Sequence, residues 1–361
     1  MAGEDVAWSE VAHDLLLYWL PGHRLTRSVQ GEHTRARHGA VQCRAYTARP
    51  VRGSSAIRVA ALGVVAAGAV VPLVRRRLRL PPPVVTATAA AAPLALCVAV
   101  PRSRARDVAV CALQMWAYVA TYEMPNDDPE RLRARVRVTY PVKVDRALGL
   151  GELPGLRLQR ALARPDAIGR ADQVLVWCHW VWFAVPHGSL AYILLRRPEL
   201  FPSAAARMYA VFDIGVIGYW AIPTAPPWYA AEVGALGDPE RRPALRRMMR
   251  EHGEAFWKDA WSPLYDVLGG NPLAAMPSLH FATSLMAAHL LREAGLVPGV
   301  VGWTYALTLG FALVYLGEHY VVDLLAGTAL TEGIRLLAPG VVPAARGLSR
   351  TLQRLEWAAH A

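Results

Sequence analysis

His280, His319 and Asp323 are the side chains whose types and spacing suit a nucleophilic reaction. Asp323 follows His319 by four residues, and on a helix that interval sets the carboxylate on the imidazole's own face. There it accepts a hydrogen bond from one ring nitrogen, fixes the tautomer and leaves the other nitrogen's lone pair free to attack. His280 is then available as an acid. Histidine and aspartate are costly inside a bilayer, so within apolar segments they mark function more often than packing.

These residues meet only if the chain between them doubles back. The stretch from Ala275 to Gly327 carries MPSLHFATS at Met276 to Ser284 and YLGEHYVVDLLAG at Tyr315 to Gly327. A largely apolar segment joins them, dipping at Arg292, Glu293, Gly295, Pro298 and Gly299, a turn signal between two arms each able to cross a bilayer core. Such a hairpin returns His319 to the membrane face where His280 begins. Composition agrees: 54% of the 361 residues are apolar and 19% charged, the balance of a multi-span membrane protein. The net charge of +11, carried almost wholly by arginine, fits anionic lipid surfaces. Because the arginines are interleaved between apolar segments, no nucleic acid partner is expected. Cys43, Cys97, Cys111 and Cys178 are scattered, which suggests neither a disulfide framework nor a metal site, and no motif requires a metal or other cofactor.

At these residues the chain resembles the type 2 phosphatidic acid phosphatase superfamily, and within it the inositol phosphorylceramide synthase-like branch. PSLH at Pro277 to His280 is similar to that branch's second motif, HYVVD at His319 to Asp323 to its third, and IPTAPPWY at Ile222 to Tyr229 to its proline-rich segment. More loosely, Pro141 to Leu162 resembles the interfacial segment before the branch's core. The resemblance implies a membrane-embedded phosphotransferase working through a phosphohistidine. His319 would attack phosphorus, Asp323 would hold its tautomer and His280 would protonate the departing oxygen. Ser278, with the amides that open its helix, would donate to a phosphate oxygen. The implied partners are a phospholipid or lipid phosphate donor and a lipid hydroxyl or water as acceptor. Phosphatase members carry an arginine six residues before the third-motif histidine; Leu313 stands there, as in the branch, which favours transfer of an inositol phosphate-like headgroup over release of inorganic phosphate. The superfamily's first motif has a partial echo in Arg157, Arg164 and Pro165, making Arg157 and Arg164 the expected phosphate-binding cations. A non-catalytic scaffold would not need the intact histidine, histidine and aspartate set.

The expected fold is therefore all-α, a polytopic membrane bundle with a six-helix core and about two additional N-terminal spans, eight crossings in all. Residues 1–56 read as an amphipathic and basic cytoplasmic segment, 57–124 as N-terminal transmembrane helices, 125–172 as an amphipathic interfacial region, 173–340 as the catalytic core and 341–361 as a basic amphipathic tail on the cytoplasmic surface. Within the core, 173–195, 204–222, the two hairpin arms and 321–338 are the spans, and the prolines of PTAPPWY force the chain out into a loop. With both termini cytoplasmic, Arg102, Arg104, Arg106, Arg196 and Arg197 obey the positive-inside rule and the site faces the extracytoplasmic side of the cell membrane. Arg75, Arg76, Arg77 and Arg79 break the rule. His179 and His187 either reach the headgroup or hydrogen-bond within the bundle, Asp213 pairs across helices, Glu318 is solvated or else tunes His319, and His289 lies toward the other leaflet.

Overall fold

The computed structural model describes residues 53–164, 167–236, 245–263 and 270–361. The N-terminal amphipathic and basic stretch up to residue 52, and Pro165 of the first-motif echo, lie outside the described residues.

The fold is an all-α membrane bundle. Helices α1 (Gly53–Leu78) and α2 (Pro82–Ala99) form an apolar hairpin. Pro82 opens α2 at a position where the missing amide costs nothing. Ser103 then caps α3 (Arg104–Glu123) by accepting from the Arg106 amide at 3.1 Å. Three short helices follow, α4 (Pro129–Arg135), α5 (Thr139–Leu148) and α6 (Pro154–Leu162), then α7 (Arg170–Trp180), α8 (Ala184–Arg196) and α9 (Phe201–Ala221). Beyond them come α10 (Pro227–Glu232), α11 (Met248–Trp257), the hairpin α12 (Leu279–Ala294) and α13 (Leu296–Tyr315), and finally α14 (Val321–His360).

Side-chain bonds show which ends share a face. At one end Arg75, closing α1, bonds Glu123 and Asp127 after α3; the Tyr219 hydroxyl of α9 donates to the Pro277 carbonyl ahead of α12; and the Tyr315 hydroxyl of α13 donates to Asp172 in α7. At the other end Arg207 of α9 makes two 2.6 Å bonds to Glu293 of α12, and Arg197 donates to the Ala294 carbonyl. Among the described residues the chain therefore traverses the bundle eight times, through α1, α2, α3, α7 with α8, α9, α12, α13 and α14. The segment bearing Arg75 and Arg76 lies at the site end, where Glu123 and Asp127 pair with those charges.

Among the described residues, three helices suffice by length and composition alone to cross a membrane: Ala56–Leu78, Pro82–Ala99 and Leu296–Tyr315. The other traversing helices carry polar groups that pair inside the bundle, as Asp213 does with Gln114 at 2.8 Å. Val297, Val300, Val301 and Leu307 on α13, with Leu325, Leu336 and Leu337 on α14, are exposed, a lipid-facing pattern. The core packs α3, α8 and α9 around α12, with Phe212, Ile193, Met208 and Met286 fully buried.

Two expectations change. The span at 173–195 is broken by a turn at 181–183, because Pro186 in the first turn of α8 cannot bond back to Trp182 and its ring excludes a continuous helix there. The separate surface tail is instead the second half of a 40-residue helix, about 60 Å long, that runs through Pro339 and Pro343. Its end is held by packing of Ala359 with Ala61, Val98 and Ala99, and by Glu356 bonded at 2.9 Å to the buried Arg106.

Candidate active site

Three local devices bring the imidazoles together. The hairpin turns at Gly295, so α13 returns antiparallel to α12. After α13 the chain turns tightly at Gly317, whose φ of +79° suits glycine, and the Glu318 and His319 amides both donate to the Leu313 carbonyl. Leu313 itself is fully buried, so the place of the phosphatase arginine is a packing position here. Finally α14 crosses close to the head of α12 at Gly327, where a Cβ would stand 2.8 Å from the Ser278 carbonyl oxygen. Gly215 and Gly218 of α9 give Leu279 and Pro277 the same close approach from the other side.

His319 Nδ1 lies 3.2 Å from Asp323 Oδ2, and His319 Nε2 lies 3.2 Å from His280 Nδ1. Asp323 is fully buried, and its Oδ2 also accepts from the Tyr320 amide at 2.9 Å. That bond fixes the carboxylate and leaves His319 Nδ1 as the donor, so the Nε2 lone pair points at His280. Trp182, from the break between α7 and α8, lies against the His280 ring with centroids 4.3 Å apart and donates to Thr283 one turn further along α12 at 2.9 Å. The break is thus part of the wall that orients His280.

The imidazoles open into a cavity of about 680 Å³, within the range of small-molecule sites. Trp177, Trp180, Trp257 and Trp261 wall one side, from α7 and the α11 region, and Tyr118, Tyr122 and Tyr219 the other, from α3 and α9. Among the described residues, none lining it is lysine or arginine. Arg247 stands behind the wall, its guanidinium 3.8 Å from the Trp228 ring centroid.

The expected site residues separate into two groups. His280, His319 and Asp323 come together. Ser278 is fully buried as the cap of α12, its Oγ accepting from the Phe281 amide at 3.3 Å and its own amide donating to the Asp323 carbonyl, and it does not line the cavity. Arg157 and Arg164 do not line it either: Arg157 donates to the Gly149 carbonyl at 2.6 Å and faces Glu152, while Arg164 is exposed and its carbonyl accepts from Arg246. The physical reason is that α6 packs amphipathically beneath the turn, with Gln159 inward and its arginines outward. Asp213 pairs across helices as expected, and His289 bonds Glu332 at the far end.

Glu318 corrects a further expectation. It is half-buried against the cavity, with Oε1 unpartnered, and burial pushes its carboxyl up to about 7 against the opposing pull of Arg247 and His319. His179 also lines the cavity, 4.8 Å from the His280 ring, with Nδ1 buried and unpartnered. Asp145 and Gln159 escaped notice in the sequence. Asp145 Oδ1 accepts from the Val322 amide at 3.0 Å at the head of α14, and Gln159 bridges the Tyr315 and Arg246 carbonyls at 2.8 and 3.0 Å. Their only signal was polarity on the inward face of short amphipathic helices.

The fold and the site together define a polytopic helical membrane protein with a histidine, histidine and aspartate centre at one end of the bundle. The chain belongs to the PAP2 superfamily, whose family model matches residues 142–337. That range begins in α5, so most of α5 and all of α6, which brace the site, fall within the matched region, whereas α1 to α4 precede it. Among curated proteins, the inositol phosphorylceramide synthase catalytic subunit of Schizosaccharomyces pombe is 28% identical over 165 residues, 42% of this chain and 37% of that protein. Inositol phosphorylceramide synthase of Candida albicans is 30% identical over 42% of this chain and 33% of its own length. Phosphoinositol dihydroceramide synthase of Bacteroides thetaiotaomicron is 29% identical over 41% and 48% respectively. The alignments thus span about a third to a half of these relatives. No solved structure matches the chain.

Proposed function

We propose that the chain transfers a phosphorylated headgroup, of the inositol phosphate type, from a phospholipid to a lipid hydroxyl, through a phosphohistidine on His319. The observation that carries this reading is the Asp323, His319, His280 relay opening into an aromatic cavity. His319 Nε2 attacks phosphorus as the bond from phosphorus to the diacylglycerol oxygen breaks, and His280, as imidazolium, gives that oxygen its proton. Asp323 holds the Nδ1 proton and offsets the charge that develops on His319. The acceptor hydroxyl then loses its proton to His280 as its oxygen attacks phosphorus, the N–P bond breaks and His319 is restored.

The geometry sets a condition on the first step. A nucleophile stands about 3–3.5 Å from the atom it attacks, with the leaving oxygen on the far side. The 3.2 Å contact between His280 and His319 leaves no room for phosphorus, so donor binding must part the rings. The Trp182 anchor on α12 and the Asp323 anchor on His319 mean that the rings part by rotation about their side-chain torsions more readily than by helix movement. Walls rich in tryptophan and tyrosine favour a lipid hydroxyl over water as acceptor, and the buried Leu313 supports transfer over simple hydrolysis. The site is assigned to the extracytoplasmic side of the cell membrane, with the tail end of α14 in the cytoplasm.

The test is turnover of a phosphorus-labelled phospholipid by protein reconstituted in vesicles, with and without a ceramide acceptor. Label in a new lipid only when acceptor is present supports transfer, and label in the water-soluble headgroup phosphate regardless of acceptor replaces it with hydrolysis. Retained turnover in a folded His319→Ala protein ends the mechanism.

A further inference from the structure

The α3 end of the cavity contains polar groups that the chemistry above does not use. Glu123 closes α3 and lines the cavity; Arg75 engages its Oε2 at 3.2 Å, and its Oε1 makes no hydrogen bond with the described residues. Across from it, Asn271 lines the same cavity while only 2% exposed; its Oδ1 accepts from the Leu273 amide, and its Nδ2 is a buried donor without a partner. This corner is built rather than incidental. The Tyr122 hydroxyl donates to the Asn271 carbonyl at 3.1 Å, and Asn126 Nδ2 donates to the Gly270 carbonyl at 2.9 Å. A buried donor left unmade costs about 1–3 kcal/mol, so an orphan in a braced corner points to a ligand.

The charge balance narrows the ligand. Arg75 reaches both Glu123 and Asp127, and Arg76 also bonds Asp127, so two guanidinium groups offset two carboxylates. An ammonium headgroup would meet Asn271's donor and the nearby guanidinium without a net negative partner. A second phosphate would meet the Glu123 carboxylate. A neutral group that both donates and accepts hydrogen bonds satisfies Glu123 Oε1 and Asn271 Nδ2 at once.

We propose that the α3 end of the cavity is a subsite for a neutral polyol headgroup, with Glu123 Oε1 accepting from one hydroxyl and Asn271 Nδ2 donating to another. The subsite rests on the transfer reading above for its place beside the reacting phosphate, and it names the residues that choose the headgroup. Tyr122 is a positioning residue, since it holds the Asn271 backbone.

The experiment uses the full chain in vesicles and donors of identical acyl composition: phosphatidylinositol, phosphatidylglycerol, phosphatidylethanolamine and phosphatidic acid, with diacylglycerol release as the common readout. The polyol donors should lead in kcat/KM. Glu123→Gln, which keeps a partner for Arg75, and Asn271→Asp, which keeps the Oδ1 acceptor but replaces the donor, should each lower kcat/KM on phosphatidylinositol at least tenfold more than on phosphatidic acid. Equal losses on all donors would reduce the corner to a structural role, and a lead for phosphatidylethanolamine that depends on Glu123 would make it an ammonium site; either overturns the proposal. Calorimetric binding of glycerophosphoinositol against glycerophosphoethanolamine needs no turnover and separates this proposal from the transfer reading. Selective binding of the polyol, weakened at least tenfold in both variants, supports the subsite even if no donor turns over, and indifference between the two ligands refutes it.

Discussion

Gly327 is where the sequence sets the distance between the two imidazoles. A Cβ built there would lie 2.8 Å from the Ser278 carbonyl oxygen and 3.4 Å from the Ala282 Cβ. Ordinary carbon to oxygen contacts are about 3.3–3.6 Å, so even alanine requires α14 and the head of α12 to part by about 0.5 Å. Misplacing reacting groups by about 1 Å costs about a hundredfold in rate. Gly327→Ala should therefore lose about tenfold in kcat, and Gly327→Leu, whose branched side chain must fit the same gap, about a hundredfold or more. Gly333→Ala on the same helix is the control, because nothing lies within 4 Å of its Cβ, and gaining alanine there should add up to about 1 kcal/mol of helix stability. The assay is diacylglycerol release in vesicles, paired with thermal unfolding in detergent to confirm that each variant is folded. Wild-type kcat in folded Gly327→Leu would refute the claim that this crossing sets the catalytic distance.

Other outcomes follow from the same contacts. Glu318 titrates at about 7 in the folded chain against about 4.3 when exposed, so its ionisation is disfavoured by folding. Its contribution is least unfavourable below about pH 4, and stability should fall by at most about 4 kcal/mol as pH rises from there through about 7. Denaturant unfolding across that window should show the slope in wild type and its loss in Glu318→Gln. Gln159→Leu leaves the Tyr315 and Arg246 carbonyls and the Arg246 amide without that partner, and should destabilise by about 2–4 kcal/mol in chemical denaturation. Leu313→Arg, which restores the phosphatase arginine, places a charge at a fully buried position; it should destabilise by about 3 kcal/mol or more and release no inorganic phosphate, which a phosphate assay on the purified variant checks.

The meeting of His280, His319 and Asp323 and the membrane fold were legible because the hairpin's hydropathy and turn signals place both. His319 stands in the turn ahead of α14, before its Tyr320 cap, so the four-residue spacing to Asp323 works across the helix start and not along one helix face, whereas the apolar arms separated by the Gly295 turn follow from hydropathy alone. So does the structural pairing of Asp213. Arginine's abundance hid the rest: Arg157 and Arg164 matched a motif by spacing, yet the amphipathic face of α6 turns Arg157 outward and Gln159 inward. Pattern also cannot see that an acidic residue in a tight turn is pressed against a cavity, which is why Glu318 read as solvated. The break at Trp182 needed only Pro186 to be legible, but what that break contacts did not.

What the sequence determined by itself is a helical membrane chain whose apolar hairpin returns His319 and Asp323 toward His280, because hydropathy and turn signals act over a few residues. What tertiary structure alone decided is what surrounds those three residues: the aromatic walls, Asp145 and Gln159 beneath the turn, and the Glu123 and Asn271 corner. Those partners come from elements far apart in the chain, and their meeting depends on how closely α12, α14 and α9 can approach. The glycines at 327, 215 and 218 permit that approach by lacking a side chain, a property that acquires meaning only once there is a neighbour to touch.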